Sequence, residues 1–416
     1  MRILMLSDHE TQGGAAVAAS RLAEGLAERH EVLRCVLNPD GETHPWSTRP
    51  LAGAGFLARQ AFRLARRFLP VAWYRPGYRR AAFSRLKHVL DRFRPDVINV
   101  HNLHGGFERG WGTDLVDLCA THAPTVWTLH DMWSFTGRCA YAYDCRAFET
   151  GCSGACPTRQ EYPALKPAQI TPAWQERRDL MRRHANLSAV APSRWLAREA
   201  SLGLWKMRRV DVIPYGLPLE LYRPVDRKEA RRRLGLPLEG PIVLIAAHSL
   251  SERRKGADIL PDVWPRLKTP FTLAAMGHGQ VSAGEHIQVR PLGFIGEPFR
   301  QALAYSAADL LLHPAPVDNL PNVVLEAIAC GTPVVGFDIG GMPDMVRAGE
   351  SGWLAGTLNG ESLAHTLERA LNEIGGGTTL RTSCRALALR EYALGTQARR
   401  YEELFEQVRA SALLAA

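Results

Sequence analysis

Short apolar runs that stop abruptly at polar residues or glycine recur along the chain. Ile3–Leu6 ends at Ser7-Asp8-His9, Val97–Val100 at His101-Asn102, Val126–Leu129 at His130-Asp131, and Leu187–Ala191 near Ser193-Arg194. Further along, Ile242–Ala247 ends at His248-Ser249, Phe271–Met276 at Gly277-His278-Gly279, Leu310–Leu312 at His313, and Val334–Phe337 at Asp338. Runs of this length without alternation predict strands buried on both faces, as in parallel sheets. The stretches Ala15–Glu28, Phe83–Phe93, Gln175–His184, Arg227–Leu234, Asn322–Cys330 and Glu361–Ile374 read as helices between them. Alternating strand and helix implies an α/β fold of doubly wound, Rossmann-like domains, with ligands beyond the carboxyl ends of the strands. The polar residues that close the runs stand at those ends.

The pattern breaks near 200–225, at Val212-Ile213-Pro214-Tyr215-Gly216 followed by Pro218 and Pro224. The expected division is a first Rossmann-like domain over 1–204, a second over 205–390, and a charged terminal helix over 391–416 in position to cross back to the first. Two such domains of similar size are expected to face each other across a cleft.

Composition narrows the class. Of 416 residues, 46% are hydrophobic and 22% charged, which argues for a globular chain and against disorder. No run approaches the ~18 apolar residues of a membrane span. The apolar start Ile3–Leu6 is too short for a signal-peptide core. A cytoplasmic enzyme is the expectation.

The net charge of +9 is concentrated. Between 59 and 94, eleven basic residues face Asp91 alone. Such a block attracts phosphate, whether on anionic lipid, nucleic acid or a pyrophosphate substrate. Within 56–69, apolar residues at 57, 61, 64, 65 and 68 share one helical face, and Arg59, Arg63, Arg66 and Arg67 lie elsewhere. Trp73, Tyr74 and Tyr78 follow. The combination describes an interfacial helix, in which each basic residue contributes ~1 kcal/mol at an anionic surface. The plainer alternative is a solvated helix packed on the first domain.

Several segments carry candidate chemistry. Gln12-Gly13-Gly14 opens a helix after the first strand, where backbone N–H groups can approach an anion. From Leu311 to Val335 a buried strand leads into a loop with Asp318, Asn319 and Leu320. Pro321 and Asn322 then start a helix bearing Glu326, and Gly331 and Pro333 close it. Two carboxylates at such a rim accept hydrogen bonds from ribose or sugar hydroxyls. Arg254 and Lys255 follow the first strand of the second half and suit a diphosphate leaving group without a metal. His130 ends a strand among Trp127, Trp133 and Phe135, side chains that either stack on sugar faces or belong to the core. Cys139, Cys145, Cys152 and Cys156 cluster at spacings looser than paired C-x2-C, so structural zinc, reduced core thiols and disulfides all stay open. Cys35, Cys119, Cys330 and Cys384 are scattered and read as core residues.

The segment from Asp318 to Val334 resembles the retaining nucleotide-sugar glycosyltransferases of family 4, which have the GT-B fold. Their second domain carries an acidic residue, seven intervening residues and a Glu, then Ala-(apolar)-Ala-Cys-Gly-Thr-Pro-Val. Here Asp318 stands where many relatives have Glu, which shortens the reach to the donor sugar by one methylene. Gly13-Gly14, Val212–Gly216, Arg254-Lys255-Gly256, Pro291-Leu292-Gly293-Phe294-Ile295 and Asp338–Pro343 match in family order over nearly the whole chain.

The resemblance implies that Glu326 binds the donor ribose, Asp318 and His130 touch the transferred sugar, and Arg254 and Lys255 hold the diphosphate. Relatives often carry an Arg where this chain has Ser249, and Arg254 is read as the substitute. Phe294 and Gly340 belong to the donor pocket by the same matches. A subgroup of bacterial polysaccharide enzymes is similar in carrying a Cys-rich insert after Leu-His-Asp-Met-Trp. The implied enzyme is a retaining, metal-independent hexosyltransferase using a UDP- or GDP-linked sugar, with no catalytic cofactor. Its implied acceptor is a lipid-linked glycan, and its implied place is peripheral on the inner face of the plasma membrane. The alternatives are a GT-B epimerase, a GT-B phosphorylase, and a zinc-containing nucleic-acid-binding protein. The last is disfavoured, because no recognition helix or RNA-binding motif accompanies the basic block, and no nucleic-acid partner is expected.

Overall fold

The computed structural model describes residues 1–50, 56–109, 111–158, 162–281, 283–284 and 287–415, without the side chains of 50, 56–59, 107–109 and 415. The chain divides into two compact units, Met1–Ile213 with Gln397–Ala416, and Pro214–Thr396.

The first unit holds a seven-stranded parallel sheet built from β1 (Arg2–His9), β2 (Glu31–Asn38), β3 (Ser47–Pro50), β4 (Val97–Val100), β5 (Thr125–Thr128), β6 (Leu187–Ala191) and β7 (Val210–Val212). Its order is β3-β2-β1-β4-β5-β6-β7. The winding therefore reverses between β1 and β4, the crevice where such sheets bind ligands. The second unit repeats the plan with β8 (Ile242–Ser249), β9 (Phe271–His278), β10 (Ile287–Gly293), β11 (Leu310–His313), β12 (Val334–Phe337) and β13 (Gly352–Ala355). The order β10-β9-β8-β11-β12-β13 reverses between β8 and β11.

The boundary lies later than 204 because Val210–Val212 pairs with β6 and keeps that segment on the first sheet. The terminal helix Leu394–Ala415 places Ala398, Tyr401, Leu404 and Phe405 in one buried cluster with Ile3, Met5, Val126 and Val190. Tyr401 also hydrogen-bonds to Thr128 Oγ1 at 2.9 Å. The last part of the chain thus covers one face of the first sheet, and its first residues stay with the second unit through the Leu217–Ala393 bridge.

All eight expected strands are present, and β2, β3, β7, β10 and β13 are additional. In β2 the apolar run is interrupted by Arg34, which is fully buried. The guanidinium donates to Ser7 Oγ and Ser20 Oγ, both at 2.8 Å, and lies 5.3 Å from the Trp46 ring.

In the basic block, Phe56–Phe68 and Val71–Phe93 are helices. Phe62 faces inward, edge-on to Tyr74 and Tyr78. Leu64, Phe68 and Trp73 are 59%, 70% and 75% exposed beside exposed Arg63, Arg66 and Arg67. The side chains of 56–59, Arg59 included, lie outside the described residues. No described helix is long and apolar enough to cross a membrane.

Candidate active site

In the second unit, β11 delivers the chain to a loop that ends at the helix Asn322–Ala329. Asp318 in that loop is buried. Its Oδ2 stands 2.5 Å from Lys255 Nζ and 3.4 Å from His313 Nε2, and its Oδ1 accepts the Asn319 N–H at 3.0 Å. Burial by itself pushes this carboxyl upward. The Lys255 charge, the nearby His313 and the charge of Arg254 outweigh burial and hold Asp318 well below the ordinary carboxylate range. Burial drives His313 the opposite way, toward the neutral imidazole. Arg254 pairs with Glu252 at 2.9 Å.

The loop is clamped from the far side by the turn after β12. Gly340 sits at φ +56°, and a Cβ there would lie 2.0 Å from the Asp318 carbonyl oxygen. Gly341 N–H donates to that same oxygen at 3.2 Å. Only glycine tolerates both the left-handed backbone and this approach.

Glu326, the fifth residue of its helix, is buried and accepts the Tyr305 hydroxyl at 2.8 Å. Burial first, then the Glu326 charge, raises the Tyr305 pKa well above 10, so the phenol remains a donor. Asn319, Leu320 and Pro321 are buried and Asn322 is half-buried. Phe294, just past β10, is 51% exposed and stacks on His278 at 4.5 Å, with His248 edge-on at 5.5 Å. These three rings follow or close β10, β9 and β8 and cluster at the carboxyl edge of the sheet.

In the first unit, Gly13 caps the helix Gly14–Ala27 at φ +89°. At the carboxyl ends of the neighbouring strands β4 and β5, His101 Nδ1 and His130 Nε2 are 3.0 Å apart, both buried. Burial pushes His130 down to about 4 and His101 well below its usual value, so the pair is neutral near pH 7 and one nitrogen donates to the other.

Beside them, His104 Nε2 meets Asp131 Oδ2 at 2.8 Å and His104 Nδ1 meets the Tyr162 hydroxyl at 3.0 Å. Burial opposes charge on His104, but Asp131 and Asp8 outweigh it and raise its pKa. The stability from this raised group is complete below the unfolded value near 6.5 and is lost as pH rises through the folded value. Asp131→Asn is therefore expected to lower Tm most at pH 5.5, with the deficit narrowing toward pH 8.5. A deficit that stays constant across that range would mean His104 does not titrate within it.

Sequence reasoning missed Tyr305, Glu10, and the partnerships of His313, Asp8 and His104. Glu10 is buried and accepts Trp46 Nε1 at 3.1 Å and the Asp40 N–H at 3.1 Å. With Asp40 and His44 it forms a group of potential metal ligands within 4.8 Å of one another, the group of that kind among the described residues. No spacing signal marked any of these. The four clustered cysteines are free and line one cavity together with Arg138.

Residues 12–221 match the family described as Glycosyltransferase Family 4, and residues 240–373 match Glycosyl transferases group 1. The chain belongs to glycosyltransferase family 4. It is 29% identical over 264 residues to WcaC of Escherichia coli, by name a colanic acid biosynthesis glycosyl transferase, covering 61% of this chain and 62% of that one. It is 37% identical over 166 residues to D-inositol 3-phosphate glycosyltransferase 1 of Catenulispora acidiphila, covering 35% and 39%. The chain thus spans less than two thirds of the length of these relatives. Among solved structures it resembles sucrose-phosphate synthase from Thermosynechococcus elongatus, with a TM-score of 0.72 and 21% identity over 99% of both chains. That likeness identifies the fold as GT-B.

Proposed function

We propose that the protein is a retaining, metal-independent hexosyltransferase. It takes its sugar from a UDP- or GDP-linked donor and transfers it to a hydroxyl of a lipid-linked glycan in surface-polysaccharide synthesis. The observation that carries the reading is the arrangement at the β8/β11 edge. Asp318 and Lys255 are paired at 2.5 Å there, and Glu326 is oriented by Tyr305 in the helix that follows. The membership in family 4 and the names of the relatives support it.

In this reading Glu326 accepts the ribose hydroxyls, and Asp318 orients the sugar with His130. Lys255 exchanges part of its bond to Asp318 for the donor diphosphate, with Arg254 adding charge. The helix starts at Gly13-Gly14 and Leu320–Asn322 supply N–H groups to anionic oxygens. As the sugar–phosphate bond loosens, the donor phosphate takes the acceptor proton on the same face, which retains configuration.

The test is a thermal-shift panel of UDP, GDP, ADP and inorganic phosphate, with and without Mg²⁺. One diphosphate at a hundredfold excess over its Kd is expected to stabilise the protein by about 2.7 kcal/mol without metal. Glu326→Ala is expected to abolish the shift, and Tyr305→Phe to reduce it, with a stability loss of about 1 kcal/mol. No shift with any nucleotide overturns the reading. Conversion of a nucleotide sugar without acceptor would favour the epimerase.

The exposed Leu64, Phe68 and Trp73 among arginines support docking to an anionic membrane surface. Changing Arg63, Arg66 and Arg67 to Ser is expected to weaken binding to phosphatidylglycerol vesicles by about 3 kcal/mol, roughly 100-fold. Equal binding of wild type and variant would refute the docking site.

A further inference from the structure

Cys139, Cys145, Cys152 and Cys156 are brought to one cavity by a stretch of irregular backbone between β5 and the helix Pro167–Arg183. All four are free thiols. The remaining cysteines, Cys35, Cys119, Cys330 and Cys384, are buried in the cores, Cys35 and Cys119 within one cluster. A pocket that collects half of a chain's cysteines on loops has no packing reason to do so, since any small apolar residue fills such space equally well.

One buried guanidinium at this cavity lacks a carboxylate partner among the described residues. Arg138 lines the cavity and is fully buried. Its Nε donates to the Pro163 carbonyl at 2.8 Å, its Nη1 lies 4.0 Å from Cys156 Sγ, and its Nη2 has no hydrogen-bond partner among the described residues. No described carboxylate pairs with it. Arg177, also buried, stands 4.1 Å above the Trp133 ring within electrostatic reach of Glu176, then of Cys152 and Cys139, then of Asp131, and its Nε has no partner among the described residues. Buried cations are ordinarily paired. Four thiolates around one divalent ion carry a net charge of −2, which Arg138 and, shared with Glu176 and Asp131, Arg177 would offset. The Gly137 N–H already points at Cys152 Sγ at 3.1 Å, the kind of outer hydrogen bond that supports a metal-bound sulfur.

We propose that Cys139, Cys145, Cys152 and Cys156 bind one structural zinc ion, with Arg138 and Arg177 balancing its charge. A tetrahedral site with Zn–S bonds near 2.3 Å sets the sulfurs roughly 3.8 Å apart. In this structure they stand wider, since the ligand group within 4.8 Å is Glu10, Asp40 and His44. All four cysteines lie outside helix and strand, so the site closes by loop and side-chain rotation without breaking a ladder. The consequence reaches the first unit's carboxyl edge. The loop starts directly after His130-Asp131, and near its far end Tyr162 bonds to His104, which in turn holds Asp131. Zinc would tie this loop into a fixed shape and so hold the buried histidines in register.

The test uses the purified full-length chain and does not depend on the donor assignment. Elemental analysis is expected to find about one zinc per chain. Exchange with Co²⁺ should produce the visible and sulfur-to-metal charge-transfer bands of a tetrahedral thiolate site. Cys152→Ser and Cys145→Ser should lose the metal, and Cys35→Ser and Cys384→Ser should keep it. Where a cluster variant does not fold, the wild type still decides: organomercurial titration should release zinc in step with four thiols. Absence of metal with all four thiols alkylated in the native protein overturns the proposal. So does a disulfide among them, or full zinc content in folded Cys152→Ser.

Discussion

Lys255→Ala is expected to cut transfer by about 100- to 1,000-fold, the effect of removing one preorganised charge from a developing anion. The same substitution leaves Asp318 buried without its cation. Breaking a buried pair costs about 3–5 kcal/mol, and the partial exposure of Lys255 puts the expected loss near 3 kcal/mol. The two effects separate in a double variant. Lys255→Ala with Asp318→Asn should recover most of the Tm and none of the turnover. Wild-type turnover in Lys255→Ala would remove this residue from the chemistry.

The pH dependence follows from the direction of the Asp318 shift. A carboxyl depressed in the folded state contributes stability above its unfolded value, near 4, and loses it as pH falls through the folded value. The wild type should lose this contribution progressively as pH falls below about 4. The acid-unfolding midpoint of Lys255→Ala should move upward.

Gly340→Ala is the second large effect. The left-handed backbone costs a non-glycine residue about 1 kcal/mol or more. The added Cβ would also meet the Asp318 carbonyl oxygen at 2.0 Å. The Asp318 loop must shift, and the expected cost is at least about 2 kcal/mol, with donor affinity reduced more than roughly 10-fold. Gly349→Ala separates backbone strain from the clash, because Gly349 has φ +73° and nothing within 4 Å of its would-be Cβ. That control should lose only about 1 kcal/mol and leave donor binding intact. Equal behaviour of the two variants, read by calorimetry and nucleotide titration, would show that the close approach to Asp318 does not matter.

The central strands were legible because burial on both faces demands apolar runs, and β1, β4, β5, β6, β8, β9, β11 and β12 show them. β2 was not, because the buried Arg34 breaks its run and its compensation by Ser7, Ser20 and Trp46 comes from other elements. The edge strands β3, β7, β10 and β13 were missed for a different reason. β3, β7 and β10 are short or half-solvated with polar or proline interruptions, and β13 offers only Trp353-Leu354-Ala355 after a glycine.

The sequence by itself determined the alternation that makes two doubly wound units. It also determined the loop–helix register that sets Asp318 before a helix and Glu326 inside it, because local periodicity and turn chemistry are written in consecutive residues. Only the tertiary structure decided that Lys255 meets Asp318, that Tyr305 holds Glu326, that His101 faces His130, and that Gly340 lies on the Asp318 carbonyl. Those pairs come from neighbouring strands and helices tens of residues apart. Their meeting depends on strand order, which no local pattern encodes.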